Sequence, residues 1–329
     1  MNRKLLHKAA DEGVISHQQV EPLIEFIQRY DETEGAELNA EHGEEQLKFV
    51  RNFGDIFITL GILFVAVSVA AMDLTGLEWL IPTGVFLLTS EWLVRVRRLA
   101  LPGIALLLAT LSFIGKALGI DDIENASVQF LILSVCALLY YLRYRMPFSL
   151  MPVAGGIVAA IISQFGLDMV QHQYLFSLLG LGVFSAAMFF DARDPHRNQR
   201  YSDCAFWLHL LASPLIVHGM MTSILFSDSS LLSTGLIKEL GLLLFFVLFM
   251  LTALLVDRRA MLVSSLAYAI YAIFQVMEHS LFKADNLPLF VFIGFGIFIV
   301  FFGTYWYKAR RLIFRGFAGT KIAQYLPPL

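Results

Sequence analysis

The sequence predicts an all-α, polytopic transmembrane bundle of about ten spans with both termini in the cytosol, and three observations predict it. Hydrophobic residues make up 57% of the 329 residues while charged residues fall to 16%, against about one quarter in a soluble domain. The apolar residues gather into runs of roughly twenty, the length a helix needs to cross about 30 Å of hydrocarbon. The short connections between runs alternate between basic and nearly free of Lys and Arg.

Taken from the N-terminus, residues 1–47 read as a cytosolic helical hairpin followed by an acidic linker. Leu5, Leu6 and Ala9 sit at helical spacing, and Gly13 is placed to end that helix in the left-handed conformation. Ser16 with Gln19 reads as a capping box opening a second helix, whose Val20, Leu23, Ile24 and Ile27 share one face. The stretch from Asp31 to Glu45 is acidic and Gly-containing, which suits a solvated linker. A pair of helices this short buries little by itself, so a protein partner or the bundle is expected to cover it.

Residues 48–311 form the expected bundle, with spans at 53–72, 74–94, 99–118, 127–143, 147–166, 173–190, 202–225, 235–256, 261–282 and 287–308. In hydrocarbon each backbone amide needs a partner within its own segment, so runs of this length must be helices. The first run begins near Phe53 after a charged stretch, so no cleavable signal peptide is expected and the first span serves as its own insertion signal.

Orientation follows from the connections. Lys48 and Arg51 precede the first span, and Arg95, Arg97 and Arg98 follow the second. Arg143 and Arg145 follow the fourth, Arg193, Arg197 and Arg200 the sixth, Arg258 and Arg259 the eighth, and Lys308, Arg310 and Arg311 the tenth. Asp73, Asp121, Asp122, Glu124, Asp168 and Asp228 mark the others, and Lys283 with Asp285 the last of them. Lys and Arg retained on the cytosolic side put both ends of the chain inside. Residues 312–329 keep Leu312, Ile313, Phe314 and Phe317 beside Arg315 and Lys321, as an interfacial amphipathic tail does.

Candidate functional residues are the polar ones that lipid would reject. Ser264, Tyr268, Tyr271, Gln275 and Glu278 follow one another at spacings of four, three, four and three, so all fall on one face of the ninth span. That face must meet protein or a water-filled cavity. Interhelical hydrogen bonds and a permeation path both fit it. The seventh span carries His209, Ser213 and His218, with Pro214 disturbing the backbone bonding between them. Equal depth matches His218 with Glu278 and His209 with Tyr268, pairs that are proton-relay candidates. Trp79, Trp92 and Trp306 lie near span ends, where an aromatic belt is expected, and Gln164 is a further candidate for the polar core. Gly155, Gly156, Gly294 and Gly296 are read as sites of close helix packing.

Other classes are set aside by what the chain lacks. Net charge is −3, which gives no footprint for nucleic acid. There is no G-x4-G-K-[ST], no G-x-G-x-x-G after a strand, no G-x-S-x-G and no H-E-x-x-H, so no cofactor or catalytic residue is assigned. Cys136 and Cys204 lie in apolar runs and are too few for a disulfide framework, and His209 and His218 are nine residues apart, which rules out joint chelation of a metal. The expected partners are the lipid bilayer, a small solute or proton, and a protein at residues 1–47.

The stretch Ala10-Asp11-Glu12-Gly13-Val14-Ile15-Ser16-His17-Gln18-Gln19, followed by a helix, an acidic linker and a multi-span bundle, resembles bacterial predicted membrane proteins catalogued only as a domain of unknown function. That resemblance implies a bacterial inner-membrane location and brings no activity with it. The functional expectation is a secondary transporter or permease-like bundle for a small solute. A non-catalytic membrane scaffold or regulatory subunit is the alternative, and an intramembrane enzyme the third.

Overall fold

The computed structural model of the protein describes residues 6, 10–33, 53–168, 171–195, 197, 199–225, 235–259, 261, 262, 270 and 287–317. Contacts divide the chain into two compact units, Met1–Leu47 and Lys48–Leu329.

In the first unit the expected turn and helix are present. Gly13 takes φ +75° and donates its N–H to the Ala10 carbonyl at 3.1 Å. Ser16 N–H donates to Gln19 Oε1 at 2.9 Å, one half of the expected capping box, and helix α1 (His17–Thr33) follows. Val20 and Ile24 are buried against Ala10, with Leu6 and Ile15 at the edge of this small core. The Ile27 side chain lies outside the described residues.

The second unit is helical throughout its described residues, with no strand among them. Its helices are α2 (Phe53–Ala70), α3 (Leu80–Ser90), α4 (Ala100–Ala117), α5 (Ala126–Tyr144), α6 (Leu150–Gln164), α7 (Gln173–Arg193), α8 (Arg200–Leu225), α9 (Gly235–Val256) and α10 (Leu287–Phe317). A 3-10 turn, Gly76–Trp79, precedes α3 and a π-helical turn, Glu91–Val96, extends it. Among the described residues eight helical stretches are long and apolar enough to cross a membrane; α9 adds a shorter apolar stretch, Leu243–Val256. Seven of the eight lie within a few residues of where the sequence places them; the eighth, in α10, continues as helix to Phe317, past the expected span end at 308 and into the expected tail. The expected ninth span, 261–282, falls outside the described residues apart from Met261, Leu262 and Ile270.

Two apolar cores organise these helices. The first gathers around α4, where Phe113 stacks on Trp79 at 5.6 Å and meets Phe86 edge-on at 5.2 Å. Tyr140 and Tyr144 of α5 close it by donating to Ser90 Oγ and the Leu87 carbonyl of α3, each at 3.0 Å. The second gathers around α8, joined by α7, α9, Met261 and Trp306 of α10. In α4 and α8 more than half of the membrane-length window is buried, against 11% in α2. Central helices bury surface on all sides, while a helix such as α2 turns its apolar side chains toward hydrocarbon.

The turns alternate in kind from one end of the bundle to the other. At the acidic or neutral connections the left-handed residues are Gly76, Gly119 and Gly166. At the basic connections they are Arg98, Arg145, Arg197 and Asp257, all at φ between +52° and +56°. A side chain in that conformation costs on the order of 1–2 kcal/mol relative to glycine. The basic end therefore keeps charged residues at positions where glycine is the unstrained choice.

Several sequence expectations change. Trp306 is 1% exposed and donates its indole N–H into the protein, so it belongs to no aromatic belt, whereas Trp92 is 55% exposed. Trp79 is also buried, its N–H bonded to the Leu74 carbonyl at 3.0 Å. Gln164 is exposed and joins no polar core. A Cβ at Gly156 would lie 2.9 Å from Ser134 Cβ, as close packing demands, but at Gly294 and Gly296 no described atom lies within 4 Å.

Candidate functional site

Helices α7 and α8 pair along their full length because glycine lets their backbones touch. A Cβ at Gly180 would lie 2.8 Å from the Ile216 amide, and one at Gly219 2.6 Å from the Gln173 carbonyl. The chain leaves α7 at Arg193 because Pro195 disfavours helical dihedrals at Asp194. Asp194 then turns the chain into α8: its carboxylate accepts the Gln199 N–H at 2.7 Å.

This pairing buries two polar side chains in the apolar contact. His209 Nε2–H donates to Asp191 Oδ2 at 2.8 Å, with His209 fully buried and Asp191 2% exposed. Phe184 covers the imidazole edge-on at 5.1 Å. Among the described residues, no hydrogen-bond partner meets His209 Nδ1.

The other side of the Asp191 carboxylate is held by the connection after α9. There the helix closes with a Schellman turn: Asp257 is left-handed, and the Arg258 N–H returns to the Ala253 carbonyl at 3.0 Å. The turn drives Arg258 inward, 2% exposed, where its guanidinium pairs with Asp191 and donates to the Ser202 carbonyl and hydroxyl at 3.0 and 3.1 Å. Asp257 points the opposite way. It accepts the Trp306 indole N–H at 2.7 Å and faces Arg197 at 3.1 Å and Arg310 at 3.9 Å. Arg197 also donates to the carbonyls of Val256 and Asp257 at 3.1 and 2.7 Å, which caps the C-terminus of α9.

Electrostatically this is a balanced cluster. Three buried carboxylates (Asp191, Asp194, Asp257) stand among three guanidinium groups (Arg197, Arg258, Arg310), with His209 beneath them. Unpaired charges of this kind would each cost several kcal/mol in so dry a setting. Among the described residues no group of His, Cys, Asp and Glu is arranged to hold a metal. What the cluster can do is hold a proton at an imidazole whose second nitrogen accepts, and tie four segments together through one carboxylate pair.

Of the sequence candidates, His209 is in this site. Ser213, one turn further, donates its hydroxyl to the Met261 carbonyl at 2.7 Å and so fixes the segment after the connection against α8. His218 is half-buried and lies away from the cluster along α8, and its carbonyl accepts the Thr222 hydroxyl at 2.7 Å. Ser264, Tyr268, Tyr271, Gln275 and Glu278 lie outside the described residues, and with them the matches of His209 to Tyr268 and of His218 to Glu278. The described partner of His209 comes from the preceding helix.

Sequence reasoning passed over Asp191, Ser202, Asp257, Arg258 as an inward group, and Trp306. A signal was present. Asp191-Ala192-Arg193-Asp194 and Asp257-Arg258-Arg259 keep carboxylates inside basic connections, and a rule that counts only Lys and Arg discards them.

Comparison with protein-family models, with curated proteins and with solved structures gives no match to this chain.

Proposed function

We propose that this membrane protein crosses the bacterial inner membrane about ten times with both termini in the cytosol, and that it is a proton-coupled secondary transporter for a small solute. The observation that carries the reading is the Asp191–His209 pair, buried inside two membrane-length apolar helices. A purely structural lock would need only the carboxylate and the guanidinium. An imidazole placed under them, in hydrocarbon, is expensive unless it is used, and ionisable groups in spans mark ion and proton paths. Protonation at Nδ1 would leave an imidazolium sharing the Asp191 carboxylate with Arg258, so proton uptake sets two cations in competition for one counter-charge.

The cytosolic assignment of the basic end draws support from the turns. Arg98, Arg145 and Arg197 keep strained left-handed positions that glycine fills at the other end, which fits a charge requirement stronger than the turn requirement. A scaffold or regulatory role stays as a second reading on one observation, the separate compact unit Met1–Leu47 with its own small core.

The transport reading is tested by cysteines at positions 268 and 275 in a Cys136→Ser, Cys204→Ser background. Reaction of both with a water-soluble thiol reagent in membranes is expected for a solute path along the ninth span. Two unreactive positions in sealed and in permeabilised membranes would remove it.

A further inference from the structure

We propose that the connection Asp257-Arg258-Arg259 is a latch closing the basic end of the α7–α10 group over His209, with Arg258 as its bolt. The inference rests on the reading of Asp191–His209 as the proton site and adds how that site is opened.

Three consecutive side chains of this connection together grip α7, α8, the α7–α8 connection and α10. Asp257 engages Arg197 of the α7–α8 connection and Trp306 of α10, at 3.1 and 2.7 Å. Arg258 reaches across to Asp191 of α7 and to Ser202 of α8. Arg259 lies over the Trp306 and Tyr307 rings of α10, at 5.5 and 5.2 Å from their centroids. A connection needed only to join two helices has no use for long-range contacts of this number. These contacts are polar and cationic rather than interdigitated apolar packing, so they can be exchanged for water one at a time.

What the latch covers is a column on α8. Ser202, Ala205 and His209 follow at spacings of three and four, so they share one helix face. Ser202 is the contact of Arg258, Ala205 is fully buried, and His209 is the imidazole below. Withdrawing the Arg258 guanidinium from between Asp191 and Ser202 opens this column from the basic end.

The proton and the bolt share one carboxylate. Asp191 accepts from His209 at one oxygen and pairs with Arg258 at the other. A proton taken up at His209 Nδ1 makes the imidazolium a competing cation for Asp191, and the hold on Arg258 weakens. The groups facing this exchange are Arg258 from the connection, Arg197 and Asp194 from the α7–α8 turn, and Asp257 with Arg310 behind them. Asp257, held by the Trp306 N–H at 2.7 Å, keeps the turn that aims Arg258 inward, so losing either contact loosens the latch.

The test uses the full chain in native membranes turned inside-out, so that the reagent reaches the basic end, with Ala205→Cys as reporter in a Cys136→Ser, Cys204→Ser background and Tyr201→Cys as the exposed control. With the latch intact, a membrane-impermeant maleimide should modify position 205 far more slowly than position 201. Arg258→Gln should raise the rate at 205 at least tenfold, Arg258→Lys less, and Trp306→Phe several-fold through the loss of the Asp257 contact. Equal rates at 205 with and without Arg258 or the Trp306 N–H, in protein that elutes as a single species, overturn the latch. So does a rate at 205 matching that at 201 with every latch residue present. If Arg258→Gln does not accumulate, Trp306→Phe decides. Faster labelling at 205 with positions 268 and 275 unreactive in every variant keeps the latch and removes the transport path.

Discussion

Asp191 and His209 stand 18 residues apart on consecutive helices, and their side chains meet at 2.8 Å with neither more than 2% exposed. Because Arg258 grips the same carboxylate from a connection 67 residues away, the pair is a junction rather than a local contact, and replacing any member should be felt at the others.

Asp191→Asn should destabilise the bundle strongly. It leaves the Arg258 guanidinium buried without its counter-charge, and breaking a buried pair in this way costs roughly 3–5 kcal/mol. Unfolding by sodium dodecyl sulfate in mixed micelles measures it. The apolar double replacement Asp191→Leu with Arg258→Met should recover much of the loss, because it removes both desolvation costs together. An Asp191→Asn protein as stable as the parent would show that the pair contributes nothing net.

Gly219 and Gly182 lie on the same helix pair but should respond oppositely. A side chain at Gly219 meets the Gln173 carbonyl at 2.6 Å, whereas no described atom lies within 4 Å of a Cβ at Gly182. Gly219→Val should cost about 1–3 kcal/mol through overpacking. Gly182→Ala should be neutral or stabilising by up to about 1 kcal/mol, since alanine is the better helix former. The same detergent titration compares them, and equal behaviour would contradict the close α7–α8 approach.

Trp306 and Trp92 should be separable by fluorescence. Trp306 is 1% exposed with its N–H on Asp257, while Trp92 is 55% exposed with Arg97 over its ring at 4.9 Å. In single-tryptophan variants in nanodiscs, iodide should quench neither strongly from hydrocarbon, but only Trp92 should respond to quencher-bearing lipids. Trp306→Phe should also lower stability by about 1–3 kcal/mol, the cost of removing a donor from a buried carboxylate; Trp92→Phe should change it little.

The sidedness of the turns should appear in labelling from one face of the membrane. Cysteines replacing Asp122 and Arg98, both exposed, should react with an impermeant reagent from opposite sides: Asp122→Cys from the periplasm and Arg98→Cys only after the inner face is opened. Reaction of both from the same side would break the alternation on which the proposed topology stands.

Most of the scaffold is legible in the order of the amino acids. Apolar length marks eight helical stretches near their observed places, Gly13 and Ser16 mark the N-terminal turn, and charge marks the end at which Arg98, Arg145 and Arg197 gather. The site is legible only in part. His209 stands out as an imidazole in an apolar run, but Asp191 reads as a helix-end carboxylate and Arg258 as one more topogenic cation. Trp306 near a span end reads as an interfacial ring, and burial makes it a donor to Asp257.

The sequence by itself determined that the described spans are helical, roughly where they lie and where cationic connections fall, because hydrocarbon requires backbone bonds to close within each segment and leaves charge at the boundaries. Tertiary structure alone decided which charges turn inward. That choice depends on a left-handed Asp257 aiming Arg258 between α7 and α8, and on Gly180 and Gly219 letting those two helices approach until Asp191 reaches His209. Partners brought together by chain reversal and backbone contact leave no periodicity to read.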